Sequence, residues 1–316
     1  MEDKKVVLSV KDLNVKFTLR GQILHAIRGI SLDVYQGESL AIVGESGSGK
    51  SVFVKCAMGL LDANGYIDGG SILYNGMDLT KFQTDKDWLK IRGKEIAMVF
   101  QDPMTSLNPL KTIGKQIQEA VELHQGLKGK DAYQAVLEVL SDVGIDDPER
   151  RYKQYPHEFS GGMRQRVVIA IAVACRPKIL ICDEPTTALD VTIQAQILRL
   201  MNDLQKENGT AIMFITHDLG VINEMADDVV VMYCGQVVEQ APARVIFTNC
   251  EKSHPYTEGL MYSIPRLNDD RKKLDPIPGA VPHPLDLPKG CKFAPRCKYC
   301  TQKCIDAEPC LLYTSP

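Results

Sequence analysis

At 316 residues the chain is too long for one minimal domain and fits a large α/β domain with an appendage. Apolar residues are 44% and charged residues 24%, ample for a core, while the formal net charge of −3 lacks the basic excess of a nucleic-acid binder, so no nucleic-acid partner is expected. The longest apolar run, 167–175, falls short of the about 20 residues of a membrane-spanning helix, and the start Met1-Glu2-Asp3-Lys4-Lys5 has no signal-peptide-like apolar segment behind it, so an intracellular chain that cannot cross a membrane alone is expected.

Short alternating strands are predicted over 6–10, 15–19 and 30–34. After a turn at Gly37-Glu38, residues 39–43 read as a strand buried on both faces. Gly44-Glu45-Ser46-Gly47-Ser48-Gly49-Lys50-Ser51 follows, and a helix is predicted over 51–60. That octet matches the phosphate-binding P-loop in the required context of strand before and helix after. Glycines let successive N–H groups point at one anion, and the helix N-terminus adds partial positive charge. Lys50 is expected to bridge the β- and γ-phosphates and the Ser51 hydroxyl to hold Mg²⁺. The motif alone says only nucleoside triphosphate.

Further strands are predicted at 71–74 and 96–100. From 113 to 144 the period becomes helical, with Ile113, Ile117, Ala120 and Val121 on one face and Val136, Leu137, Leu140 and Val143 on another. Helix 161–175 is ended by Pro177, and a buried strand, 179–182, leads into Asp183-Glu184. In open α/β sheets the site lies at the carboxyl ends of strands, so Asp183 is expected to hold Mg²⁺ and Glu184 to polarise the attacking water. Helix 192–207 and strands 211–215 and 229–232 complete a βαβ series, implying a mostly parallel sheet. Beyond 251, closely spaced prolines read as an extended linker. Cys56, Cys175, Cys182, Cys234 and Cys250 are expected to be buried thiols, whereas Cys291, Cys297, Cys300, Cys304 and Cys310 crowd together like a metal site, iron–sulfur and zinc both accepting four thiolates.

Phe159-Ser160-Gly161-Gly162-Met163-Arg164-Gln165-Arg166 resembles the signature of the ABC (ATP-binding cassette) superfamily. It repeats the phosphate-binding logic, with Ser160 capping a helix and Gly161 and Gly162 exposing amides. The other landmarks of the resemblance fall in order. Gln101 resembles the glutamine that senses Mg²⁺ and reports to the membrane partner, and Ala188-Leu189-Asp190 resembles the D-loop. His217 resembles the switch histidine near the γ-phosphate, and Phe17 the aromatic that stacks on adenine. Phe159 and Met163, where Leu and Gln are usual, and the run 101–109 resemble the oligopeptide/dipeptide importer subfamily, as does a cysteine-containing extension behind prolines.

The resemblance implies an α/β P-loop NTPase fold with a RecA-like parallel sheet core, an N-terminal antiparallel β subdomain, a helical subdomain over about 106–175 and a small cysteine-rich C-terminal extension. A nucleotide-binding domain over 1–250 and a Pro-rich, cysteine-rich module over 251–316 are expected. The implied function is an ATPase driving peptide import, with ATP and Mg²⁺ bound. The alternatives are an importer of nickel or another small solute and a soluble ABC ATPase unconnected with transport. Implied partners are a second ATPase subunit packed head to tail, two transmembrane permease subunits and, indirectly, an extracytoplasmic solute-binding protein, at the cytoplasmic side of the membrane. The extension is expected to hold a [4Fe–4S] cluster on Cys291, Cys297, Cys304 and Cys310, with Cys300 as substitute and zinc or a vacant site as alternatives.

Overall fold

Arg20 and Gly21 both adopt positive φ, 45° and 85°, the geometry of a two-residue hairpin turn whose twist matches its strands. They join β1 (Val6–Leu19) to β2 (Gln22–Tyr35). Past β3 (Ser39–Val43), β4 (Gly65–Tyr74) and β5 (Met77–Asp78) complete an antiparallel sheet of order β2-β1-β4-β5. The computed structural model describes residues 4–100, 102–186, 189–216, 218–248, 253–263, 276–309 and 312–313. Two strands were predicted where β1 runs unbroken. Its register against β4 shifts between Lys11 and Asn14 and again before Val15, with Asp12 at φ 46°. The bulge turns the chain's alternation over, so one strand reads as two.

The chain divides into two compact units. One comprises Met1–Lys5, Tyr35–Ser39 and Phe82–Ile215. In it β6 (Ile96–Val99), β7 (Ile179–Asp183) and β8 (Ala211–Ile215) pair in parallel, and β7, in the middle, is buried along its whole length. Helices Ile113–Gln125 and Gly129–Asp142 form the helical insert, parted where Gly126 turns left-handed at φ 72°. Helix Gly161–Val173 is buried nearly all round, which suits its unbroken apolar run. Helix Val191–Asn208 precedes β8.

The other unit comprises Val6–Val34, Leu40–Lys81 and Thr216–Pro316. Here β3 pairs in parallel with β9 (Asp228–Tyr233), which pairs antiparallel with β10 (Gln236–Pro242), and β11 (Leu312–Tyr313) adds to β10. The start of the Pro-rich stretch departs from the expected extended linker, whereas residues 276–290 form no helix or strand. Helix Pro255–Tyr262 starts with proline at its first turn, where a missing N–H costs nothing, and the His254 ring accepts from the Tyr256 N–H at 3.1 Å. Tyr256 and Met261 enter one apolar cluster with Ala41, Val43, Val231, Tyr233 and Phe293, so burial overrides the local extended preference.

His254 also donates its backbone N–H to Glu239 Oε2 at 2.9 Å, and burial holds its imidazole down to about 4. A folded-state value below the unfolded 6.5 means that the unfolded chain binds more protons between the two. This contribution to stability is therefore complete above pH 6.5 and is lost as pH falls toward 4. Thermal melts across that window are expected to show a smaller acid-side loss for His254→Asn, which keeps a capping acceptor but does not titrate. An equal loss in both proteins would remove His254 from the effect.

Candidate nucleotide site

The buried strand β3 ends in a loop with positions that only glycine can take. Gly44 sits at φ 150°, and a Cβ there would lie 2.2 Å from the Met232 carbonyl oxygen. Gly49, at φ 102°, forms the N-cap of helix Lys50–Ala57, which starts one residue earlier than predicted. Lys50 Nζ donates to the carbonyls of Gly44 and Glu45 at 2.7 and 3.0 Å and to Ser48 Oγ at 3.3 Å, which holds the ammonium over the loop. The next turn of chain is tied down as well, since the Gly235 N–H donates to the Ser48 carbonyl at 2.9 Å. Ser46 and Gly47 complete the loop, and Ser51 lies in the helix's first turn. The Phe17 ring packs across Gly65, where an added Cβ would meet it at 2.6 Å, and is largely buried.

In the other unit, Asp183 ends β7 with only 6% of its surface exposed. Glu184 follows at φ 49°, and its N–H donates to the Ile215 carbonyl at 2.8 Å. A non-glycine residue held left-handed costs of order 1–3 kcal/mol, and such strain collects at functional positions. The Gln165 side chain, buried inside helix Gly161–Val173, donates to the Pro185 carbonyl at 2.9 Å and ties the helix to the segment after the acidic pair. Ser160 caps that helix, its Oγ accepting from the Met163 N–H at 3.3 Å. Gly161 faces open space, so a ligand could reach its amide without meeting a side chain. Phe159 is buried with the Arg151 guanidinium 5.5 Å from its ring centroid, so the larger residue here anchors the approach to the helix. Leu189 lies 3.5 Å from the position a Cβ on Gly162 would take, and Asp190 caps helix Val191–Asn208 through Ile193 N–H at 3.0 Å. Gln101, Ala188 and His217 lie outside the described residues. Asp218, next to His217, caps helix Leu219–Met225.

Residues 27–187 match the ABC transporter family, and residues 238–304 match the C-terminal region of oligopeptide/dipeptide transporters. The chain belongs to the ABC transporter family. Similar proteins in that family include the oligopeptide transport ATP-binding protein AmiE of Streptococcus pneumoniae, 52% identical over 97% of this chain and 85% of AmiE. AppD of Bacillus subtilis, also an oligopeptide transport ATP-binding protein, is 52% identical over 97% of this chain and 93% of its own length. A solved dimeric ATP-binding cassette, described as a post-hydrolysis state bound to ADP and Pi, superposes with a TM-score of 0.68. It is 27% identical over 75% of this chain and 99% of that one. The mixed α/β ABC cassette fold, with antiparallel β subdomain and parallel sheet, and an ABC-type ATPase are thus the correct reading of the sequence. Among the described residues no helix is long and apolar enough to cross a membrane.

The metal expectation for the cysteines of this ABC protein is not supported. Cys56 and Cys182 are buried thiols, burial pushing Cys56 up to about 12, while Cys175 and Cys234 are half-buried and Cys250 lies outside the described residues. Cys291 and Cys297 pack against the apolar cluster around Phe293, and burial pushes both thiols up. Cys304 Sγ pairs with Thr301 Oγ1 at 3.4 Å, and Cys300 Sγ donates to the Thr301 carbonyl at 3.7 Å. Among the described residues no three His, Cys, Asp or Glu side chains converge as metal ligands. Cys297 lies within electrostatic reach of Cys291, Cys300 and Cys304, but no support for a [4Fe–4S] or zinc site on them emerges among the described residues. Cys310 lies outside the described residues.

The sequence reading singled out neither Tyr256 nor Arg296. Both reach Glu45 of the phosphate loop, across 211 and 251 residues, a separation at which no local pattern carries a signal.

Proposed function

We propose that this chain is the ATP-hydrolysing subunit that powers a peptide importer, bound peripherally at the cytoplasmic side of the membrane. The observation that carries the reading is the strained loop of Gly44 to Gly49 running into the Lys50 helix, in a chain about half identical to oligopeptide transport ATP-binding proteins over nearly its whole length. A cassette over 1–250, with a helical subdomain over about 106–175, and a C-terminal module over 251–316 are the proposed working parts.

Amides of residues 46–51 and the Lys50 ammonium receive the phosphates, Gly44 and Glu45 complete the loop, and Phe17 contacts the adenine. The buried carboxylate of Asp183 and the Ser51 hydroxyl are oxygen donors of the kind Mg²⁺ takes, and with Gln101 they would hold the ion. Mg²⁺ supplies neutralisation of the phosphate charge when bound. Glu184 orients and deprotonates the attacking water, and His217 senses the γ-phosphate. Ser160, Gly161, Gly162 and Asp190 serve the nucleotide held by a second copy or a paralogous subunit packed head to tail. ATP then joins the two, and hydrolysis releases them.

The helical insert suits a docking role for the two permease subunits. Leu110 is 86% exposed beside an open groove of about 700 Å³ lined by Lys111, Leu123, Tyr152 and Tyr155 among others. An apolar side chain this exposed beside aromatic and charged neighbours fits a partner surface better than bulk water. The test is reconstitution of the ATPase with its co-purified permease subunits in vesicles. Peptide-loaded solute-binding protein is expected to raise ATP turnover several-fold. Stimulation by a nickel-loaded or other small-solute protein instead would move the assignment to that substrate. Purification without any hydrophobic partner, at full activity, would favour a soluble ATPase.

A further inference from the structure

The geometry points to a part for the C-terminal extension in nucleotide binding: Arg296 and Tyr256 are positioning residues of the phosphate loop, the first neutralising Glu45 and the second orienting its amide. The inference rests on the reading of residues 44–51 as the phosphate loop.

Arg296 meets the Glu45 carboxylate fork to fork, Nη1 to Oε2 at 2.6 Å and Nη2 to Oε1 at 3.1 Å. The Arg296 side chain is 4% exposed and that of Glu45 30%. Other groups hold the guanidinium in place. Its Nε donates to the Pro278 carbonyl at 3.0 Å, its Nη1 to Tyr233 Oη at 3.4 Å, and its carbon lies 5.9 Å from the ring centroids of both Tyr233 and Phe293. The fully buried Tyr256 places its hydroxyl 2.7 Å from the Glu45 N–H, which donates to it. Two separate stretches of the extension thus reach one loop residue, helix Pro255–Tyr262 and the short turn Ala294–Arg296, while the segment at Pro278 holds Arg296 in place.

Electrostatics says what this convergence does. A carboxylate at the second position of a triphosphate loop repels its ligand. A planar guanidinium cancels that charge and fixes its direction through paired bonds, which a lysine ammonium would not do. The amide of Glu45 is already committed to Tyr256, so the loop's conformation at Gly44-Glu45 is set before nucleotide arrives. The extension therefore supplies electrostatic conditions for phosphate binding that the loop's own residues do not.

The test is equilibrium binding of ATP and ADP to the full-length chain at fixed salt, with thermal melts alongside. At an effective dielectric of about 20, one uncompensated charge about 12 Å from a phosphate charge corresponds to about tenfold in affinity. Arg296→Met is expected to weaken ATP about that much and ADP less, because ADP carries less charge. Glu45→Gln with Arg296→Met is expected to recover most of the lost affinity. A merely structural staple would leave the double variant as weak as Arg296→Met, and that result overturns the inference. So does unchanged ATP affinity in Arg296→Met; should that variant not fold, Arg296→Lys, which keeps the positive charge, is expected to hold most of the affinity, and a tenfold loss there overturns the inference as well. Lys50→Ala separates the two levels. If it loses ATP while Arg296→Met does not, the inference falls and the loop reading stands. If it binds ATP normally, the loop reading itself falls.

Discussion

Glu184→Gln is expected to slow ATP hydrolysis by about 10²–10⁴ while ATP still binds, the size of effect that follows loss of a general base. The substitution changes one oxygen to a nitrogen and leaves volume and backbone demands alike. Glu184 sits at φ 49° directly after the buried end of β7, with its N–H bonded to the Ile215 carbonyl at 2.8 Å. That backbone arrangement does not depend on the side-chain charge, so the variant is expected to melt like the parent. Asp183, the neighbour proposed for Mg²⁺, is untouched. Single-turnover hydrolysis and nucleotide titration together read the split. Parental turnover in the variant would take the general-base role away from Glu184, and lost binding would show that it serves nucleotide affinity instead.

Ser160→Arg is expected to abolish hydrolysis while the separate subunit still binds ATP. Ser160 is exposed at the start of helix Gly161–Val173, with open space beside Gly161. Removing the capping oxygen that accepts from the Met163 N–H costs about 1 kcal/mol of stability, too little to unfold the chain. The long side chain would instead occupy the approach to the helix N-terminus, where the proposal puts the γ-phosphate held by the other subunit. ATP affinity of the monomer, ATP-dependent dimerisation and turnover are the three readouts. Intact binding with lost dimerisation and turnover supports a site shared between two copies. Loss of binding in the monomer would mean that Ser160 serves its own subunit's nucleotide, and the shared-site reading would fail.

The parts legible from the chain alone are those whose physics is local. The buried run of β3, the glycines behind it and the Lys50 helix lie within about twenty residues and constrain one another. The acidic pair after β7 and the Ser160 cap are legible for the same reason, since strand end, cap and helix are neighbours in sequence. The long strands β1 and β2 were misjudged, the one split and the other shortened. A bulge at Asp12 and a hairpin turn at Arg20-Gly21 alter the alternation on which strand assignment relies. Helix Pro255–Tyr262 reads as linker in the sequence, because proline frequency speaks for an extended chain, whereas the burial of Tyr256 and Met261 that stabilises the helix is supplied by strands far away in sequence.

The cysteine cluster shows the same limit from the other side. Spacing brings thiols close along the chain, but it does not say that Cys291 and Cys297 pack against the apolar cluster around Phe293. By itself, then, the sequence determined the nucleotide-binding family, the phosphate loop and the order of its landmarks, because each depends on backbone geometry that a few adjacent residues dictate. Only the tertiary structure decided that parts of the C-terminal extension are packed and that Arg296 meets Glu45. Those outcomes come from burial and charge pairing between residues hundreds of positions apart, whose energies no local pattern encodes.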